Sequence, residues 1–161
     1  MSLLEKTTDL CLIPVSVIAG CLLIQHNAVE RKRTETFVGK RVNLPEGSLR
    51  SRNVVVVLST SCRFCRESAP LYRQLGAAAA RNSTSASFIV LAFEPLDRMK
   101  AFLDTLGIGA SNVAVMPDSL ETRITPTMLL VDQKGVVVDA MVGELSKATE
   151  EKPMKFLDSH S

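Results

Sequence analysis

Asn53-Val54-Val55-Val56-Val57-Leu58-Ser59-Thr60-Ser61-Cys62-Arg63-Phe64-Cys65-Arg66-Glu67-Ser68-Ala69-Pro70-Leu71-Tyr72 is the stretch whose reading decides the fold. After Asn53 it opens with an unbroken aliphatic run, the pattern of a strand buried on both faces in a parallel sheet. From Cys62 to about Ala80 the chain reads as a helix that ends at Arg81-Asn82-Ser83. Two thiols therefore lie one turn apart at the start of a helix that follows a buried strand. Unpaired backbone N–H groups there favour a thiolate on Cys62, and Arg63 and Arg66 add positive charge. Cys65, deeper in the helix, is expected to be less exposed and to resolve a mixed disulfide formed by Cys62.

Downstream, Ser87 to Phe93 reads as a second buried strand, and Pro95 to Leu106 as a helix with Pro95 at its start and Gly107 at its end. Asn112 to Met116 gives a short strand and Asp118 to Thr122 a helical turn. Thr127 to Val131 and Val136 to Val142 form a hairpin across Asp132-Gln133-Lys134-Gly135. A last helix is expected around Thr149 to Leu157. Upstream, Val42, Leu44 and Leu49 around Pro45-Glu46-Gly47 suggest a short edge strand and a turn. The alternation is β-α-β-α, an α/β domain with a central mixed sheet flanked by helices.

From Leu10 to Ile24 every residue except Ser16 is apolar, Gly or Pro. As a helix this spans about 22 Å, short against a hydrocarbon core of about 30 Å. The uncharged flanks extend it, and a single N-terminal transmembrane or signal-anchor helix is the leading reading, with residues 1–24 as anchor, 25–37 as a polar linker and 38–161 as the domain. A buried core helix, a cleaved signal peptide and a lipoprotein signal at Ile18-Ala19-Gly20-Cys21, which would lipidate Cys21, are the alternatives. Arg31, Lys32, Arg33, Lys40 and Arg41 follow the apolar run, a bias that would hold the domain on the cytoplasmic side.

Composition closes off other classes. The 161 residues carry 19 basic and 17 acidic side chains, a formal charge of +2, too even for a protein that neutralises nucleic-acid phosphates. Aromatic residues make up 4%, with no Trp, so stacking platforms are excluded too. Four cysteines are too few for a disulfide-stapled scaffold. His26 and His160 lie near the chain ends with no ligand spacing to Cys62 and Cys65, so no metal site is expected.

After the second helix, Ile124-Thr125-Pro126-Thr127 leads straight into Met128-Leu129-Leu130-Val131-Asp132. With the strand-Cys-x-x-Cys-helix and Pro70 inside that helix, the sequence resembles the thioredoxin superfamily over about Val38 to Leu157. Within it the chain looks most like the membrane-anchored, extracytoplasmic redoxin branch, which includes disulfide reductases of cytochrome c maturation. The resemblance implies a thioredoxin-like fold and a thiol-disulfide oxidoreductase acting on protein thiols and disulfides. It also implies a cis-proline at Pro126 facing the dithiol, beside which a substrate peptide can pair with backbone.

On this reading Cys62 and Cys65 are catalytic, Phe64, Thr125 and Pro126 bind substrate, and Arg63 and Arg66 tune the thiol. No cofactor is required beyond the redox-active disulfide. An upstream redox donor or acceptor is. The branch implies a periplasmic or cell-surface domain in a bacterium, against the charge bias after the anchor. Ser61 stands where the family has Trp, Val56 where many members carry a buried acid, and Ser68 where cytochrome-maturation reductases often carry Glu. Glu67 and Glu94 could modulate the dithiol, but the solvated surface is the expected place for both. Direction stays open: a stabilised thiolate favours a disulfide-introducing oxidant, the resemblance favours a reductase, and the reading leans to the latter. A noncatalytic thioredoxin-like binding module is the rival from another class.

Overall fold

The computed structural model describes residues 36–120, 122–143 and 147–159. The anchor at residues 1–24, Cys21 and most of the linker lie outside them. Strands β1 (Arg52–Leu58), β2 (Ala86–Ala92), β3 (Asn112–Val115), β4 (Thr127–Asp132) and β5 (Val137–Val142) form one sheet in the order β3-β2-β1-β4-β5. β1 runs parallel to β2 and antiparallel to β4, so the sheet is mixed. Helices α1 (Arg63–Glu67), α2 (Ala69–Arg81), α3 (Leu96–Leu106) and α4 (Lys147–Asp158) complete the architecture.

Residues 54–58 of β1 are fully buried, as are 88–92 of β2, which accounts for their lack of polar alternation. Alternate residues feed two cores. Val54, Val56 and Leu58 join Phe88, Val90 and Met128 with Leu71, Tyr72 and Leu75 of α2, Met99 and Leu103 of α3 and Leu157 of α4. Val55, Val57, Ile89 and Leu91 face the other way, onto Phe37, Val42, Ala114 and Leu120. Among the described residues the long helices therefore cover one face, and irregular segments cover the other.

Several expectations are corrected in detail. The helix foreseen from Cys62 to Ala80 is two helices, broken at Ser68. Pro70, at the start of α2, has no N–H to continue the ladder. The edge strand foreseen around Val42 shrinks to a single bridge, Arg41 to Val136. The helical turn foreseen at Asp118 to Thr122 is a plain turn over residues 118–119. Phe37, assigned to the linker, is buried in the second core and belongs to the domain. α3 ends as foreseen, on Gly107 in the left-handed region at φ 65°.

Candidate active site

Sheet register gathers the site at one pole. Leu58 pairs with Ala92 and Ala92 with Val115, so the carboxyl ends of the three parallel strands are level. Val57 pairs with Thr127 of antiparallel β4, which sets Thr125 and Pro126 beside the end of β1. The turn 59–62 leaves that same end, closed by Cys62 N–H donating to the Ser59 carbonyl at 3.1 Å. The carboxyl ends of parallel strands are where open α/β sheets place their chemistry.

Cys62 caps α1 in an extended conformation, and its Sγ accepts from Cys65 N–H at 3.1 Å. It is half-buried, whereas Cys65 is fully buried. The two are joined as a disulfide with their Cα atoms 5.3 Å apart. This asymmetry suits one sulfur to meet an incoming disulfide and the other to act from within. α1 has only five residues, so thiolate stabilisation rests on the local N–H groups more than on a long macrodipole.

Each arginine beside the dithiol is already engaged. Arg63 Nε pairs with Glu67 Oε1 at 2.7 Å on the surface. Arg66 Nη2 donates to the Thr60 carbonyl at 2.6 Å, and its guanidinium carbon lies 5.8 Å from the centroid of the Phe102 ring. Phe64 is 41% exposed, pointing apolar surface to solvent next to Cys62. Pro126 is buried, Thr125 is half-buried, and the peptide bond between them is cis.

Glu94 departs from its expected place on the solvated surface. Its Oε1 accepts from Ser59 Oγ at 2.7 Å, Thr60 N–H at 2.9 Å and Thr60 Oγ1 at 3.2 Å. Its Oε2 is buried with no hydrogen-bond partner among the described residues. Burial opposes ionisation, but the hydrogen bonds from Ser59 and Thr60 outweigh it and hold the carboxyl below the ordinary carboxylate range. Thr60 is thus gripped from both sides, its N–H and hydroxyl by Glu94 and its carbonyl by Arg66. The missing sequence signal was the pairing of a post-strand acid with a Ser-Thr turn more than thirty residues earlier. Among the described residues no group of three or more His, Cys, Asp or Glu could hold a metal.

Solved structures place this geometry. A thioredoxin-family thiol:disulfide interchange protein from Chlorobium tepidum superposes with a TM-score of 0.56 at 21% identity, over 74% of this chain and 96% of its own. This is a thioredoxin-like fold. A secreted Mycobacterium tuberculosis disulfide oxidoreductase homologous to E. coli DsbE matches with a TM-score of 0.54 at 17% identity, over 71% of this chain and 86% of its own. A thiol:disulfide interchange protein from Bacteroides sp. matches with a TM-score of 0.56 at 16% identity, over 78% and 88%. No protein-family model and no curated protein matches the chain. Within the thioredoxin-like fold the Cys62–Cys65 disulfide starts the first helix after the central strand, and Pro126 opens the strand antiparallel to it.

Proposed function

We propose that the protein is a thiol-disulfide oxidoreductase that acts on protein substrates and works as a reductase. The observation that carries this is the unequal exposure of a bonded cysteine pair, Cys62 half-buried at a helix cap and Cys65 fully buried. In the reduced protein the Cys62 thiolate attacks one sulfur of a substrate disulfide, and the other substrate sulfur leaves as a thiolate. Cys65, deprotonated, then attacks Cys62 Sγ, releasing the second substrate thiol and forming the Cys62–Cys65 disulfide. Two electrons pass to the substrate, and an upstream dithiol donor restores the pair, so no other cofactor takes part. Phe64 and Thr125 form the docking rim, with Pro126 buried behind Thr125.

The reducing direction is supported by how the arginines are used. Arg63 is paired with Glu67, which offsets its charge at the thiolate, and Arg66, still cationic, is directed to the Thr60 carbonyl. A dithiol whose thiolate gains little is the more reducing one. In equilibrium with defined thiol buffers, a potential near or below about −250 mV supports the reductase, and one near about −120 mV identifies an oxidant. Cys65→Ser is expected to accumulate partners as reductant-sensitive mixed disulfides on Cys62. Unchanged, noncovalent association in that variant would point to a binding module instead.

For location we propose a membrane-anchored domain on the extracytoplasmic side. The support is the apolar run of residues 10–24 and the fact that constitutive dithiol exchange finds its targets in an oxidising compartment. The run lies outside the described residues, among which no helix is long and apolar enough to cross a membrane. A topology reporter fused after Leu157 tests the assignment, and a cytoplasmic signal overturns it.

A further inference from the structure

Two hollows open on the rim beside the dithiol, and they share Phe93 and Arg123. The nearer, about 380 Å³, is lined by Ser59, Ser61, Phe93, Arg123 and Thr125. The farther, about 460 Å³, runs past the end of β3 along Val115, Met116, Pro117 and Asp118. Together they form one groove leading away from the turn that carries Cys62. Phe93 is 44% exposed and Val115 59%, so the groove offers apolar walls to solvent.

The polarity of the near hollow follows donor by donor. Ser59 has a single hydroxyl proton and gives it to Glu94 Oε1. In the 2.9 Å contact between Ser59 and Ser61, Ser61 must then be the donor. Both serine protons are committed inward, and Ser59 Oγ also accepts the Ser61 N–H at 3.3 Å, so neither serine has a proton to offer the hollow. The charged donor left there is Arg123, exposed and without a hydrogen-bond or ion-pair partner among the described residues. Among the described residues no carboxylate lines the near hollow, whereas Asp118 lines the far one. Arg123 therefore attracts an anionic side chain in the near hollow, whereas in the far one Asp118 offsets its charge and an apolar side chain finds Val115, Met116 and Pro117.

We propose that this groove selects oxidised polypeptide segments bearing an acidic residue within one or two positions of the reactive cysteine, and that Arg123 is the residue that reads it. An extended chain advances about 3.3 Å per residue, which keeps such a side chain within the hollow adjoining the turn. The charge around the dithiol fits this occupant. Glu67 is paired with Arg63 and Glu94 Oε1 is bonded to the Ser59-Thr60 turn, so neither is bonded to Arg123. The proposal rests on the disulfide-exchange reading above.

The test uses the full, reduced protein and three peptides of one sequence, each with a single cysteine as a neutral 2-pyridyl mixed disulfide. They differ only in Asp, Asn or Lys next to that cysteine. Release of pyridinethione gives a rate constant for each. The expected order is Asp, Asn, Lys, with about a tenfold span that shrinks at high salt. Arg123→Gln should compress the span to within twofold, Arg123→Glu should invert it, and Arg123→Lys should keep the order. Because the readout is a ratio within each variant, partial loss of folded protein does not affect it. A wild-type span under twofold, a Lys preference, or an unchanged order in Arg123→Gln overturns the proposal while leaving disulfide exchange standing. No release from any peptide overturns disulfide exchange itself, and this inference with it.

Discussion

The two ends of the central strand are each fastened by one polar side chain, and the two fastenings differ in completeness. At the start of β1, Asn53 is fully buried, and its amide donates to the carbonyls of Arg50, Val131 and Asp132 at 2.9, 3.1 and 3.1 Å. Its carbonyl oxygen accepts from Arg50 N–H and Ser87 Oγ, both at 2.7 Å. At the other end Glu94 uses one oxygen for three bonds and leaves the other buried without a partner among the described residues. The first end ties β1, β2 and β4 together with every lone pair and proton satisfied. The second holds a turn that must present a reactive sulfur, beside exposed Phe64 and Phe93. One pole is built for stability, and the other gives some of it up for access.

The largest effect expected from breaking this contrast comes at the satisfied end. Asn53→Leu leaves Ser87 Oγ, Arg50 N–H and two strand carbonyls without their buried partner, a loss of about 3 kcal/mol. Chemical denaturation should show that loss, while the potential of the folded protein stays at the wild-type value. A shift in potential would mean that the two poles are coupled. Gly76→Ala, at the same pole, comes next. A Cβ there would overlap the backbone carbonyl of Gly109, which cannot swing aside as a side chain could. About 2 kcal/mol of destabilisation is expected, again without change at the dithiol.

The same contrast explains what was legible in the sequence. Val54 to Leu58 and Phe88 to Ala92 could be read as strands because burial on both faces leaves an unbroken apolar run. Cys62 and Cys65 could be placed because short spacing and a strand-helix boundary set their positions, and Pro126 because of the resemblance to the thioredoxin superfamily. The edge strand near Val42 could not, since its apolar residues cover the second face of the sheet while only Arg41 makes a bridge. The break at Ser68 was foreshadowed by Pro70, yet a proline in the first turn of a new helix looks the same in sequence as one that only bends an old helix. Glu94 was missed because its partners, Ser59 and Thr60, reach it only when β1 and β2 pair in parallel register. Arg66 was read as a charge aimed at the thiol, but a backbone carbonyl, a partner that leaves no trace in the residue pattern, also holds it.

At the unsatisfied end a smaller and more informative effect is expected. Glu94→Gln keeps an acceptor for the turn but removes the charge and buries an amide N–H where Oε2 was, a loss of about 1 kcal/mol at neutral pH. Because the folded carboxyl titrates below its ordinary value, its contribution is present above the unfolded value and is lost as pH falls through the folded one. The stability gap between wild type and Glu94→Gln should therefore close on acidification, which parallel denaturation curves at neutral and acid pH would reveal. A gap independent of pH would remove the carboxylate charge from the account. The potential should also rise, by about 15 to 30 mV, since the negative charge bonded to Thr60, two residues before Cys62, no longer opposes its thiolate.

The smallest effect separates the two arginines flanking the dithiol. Arg63 and Glu67 are a surface i, i+4 pair, with side chains 83% and 48% exposed, so Arg63→Ala should change stability by no more than about 0.5 kcal/mol. Its effect on the potential should be a few millivolts and should vanish in concentrated salt, because solvent screens the charge and Glu67 offsets it. Arg66→Ala removes a bond to the carbonyl of buried Thr60 and a guanidinium packed on Phe102, neither of which salt dissolves. Its shift should persist at high ionic strength. Equal, salt-sensitive shifts in both variants would mean that the arginines act on Cys62 as plain charges and that the grip on Thr60 has no part in setting the potential.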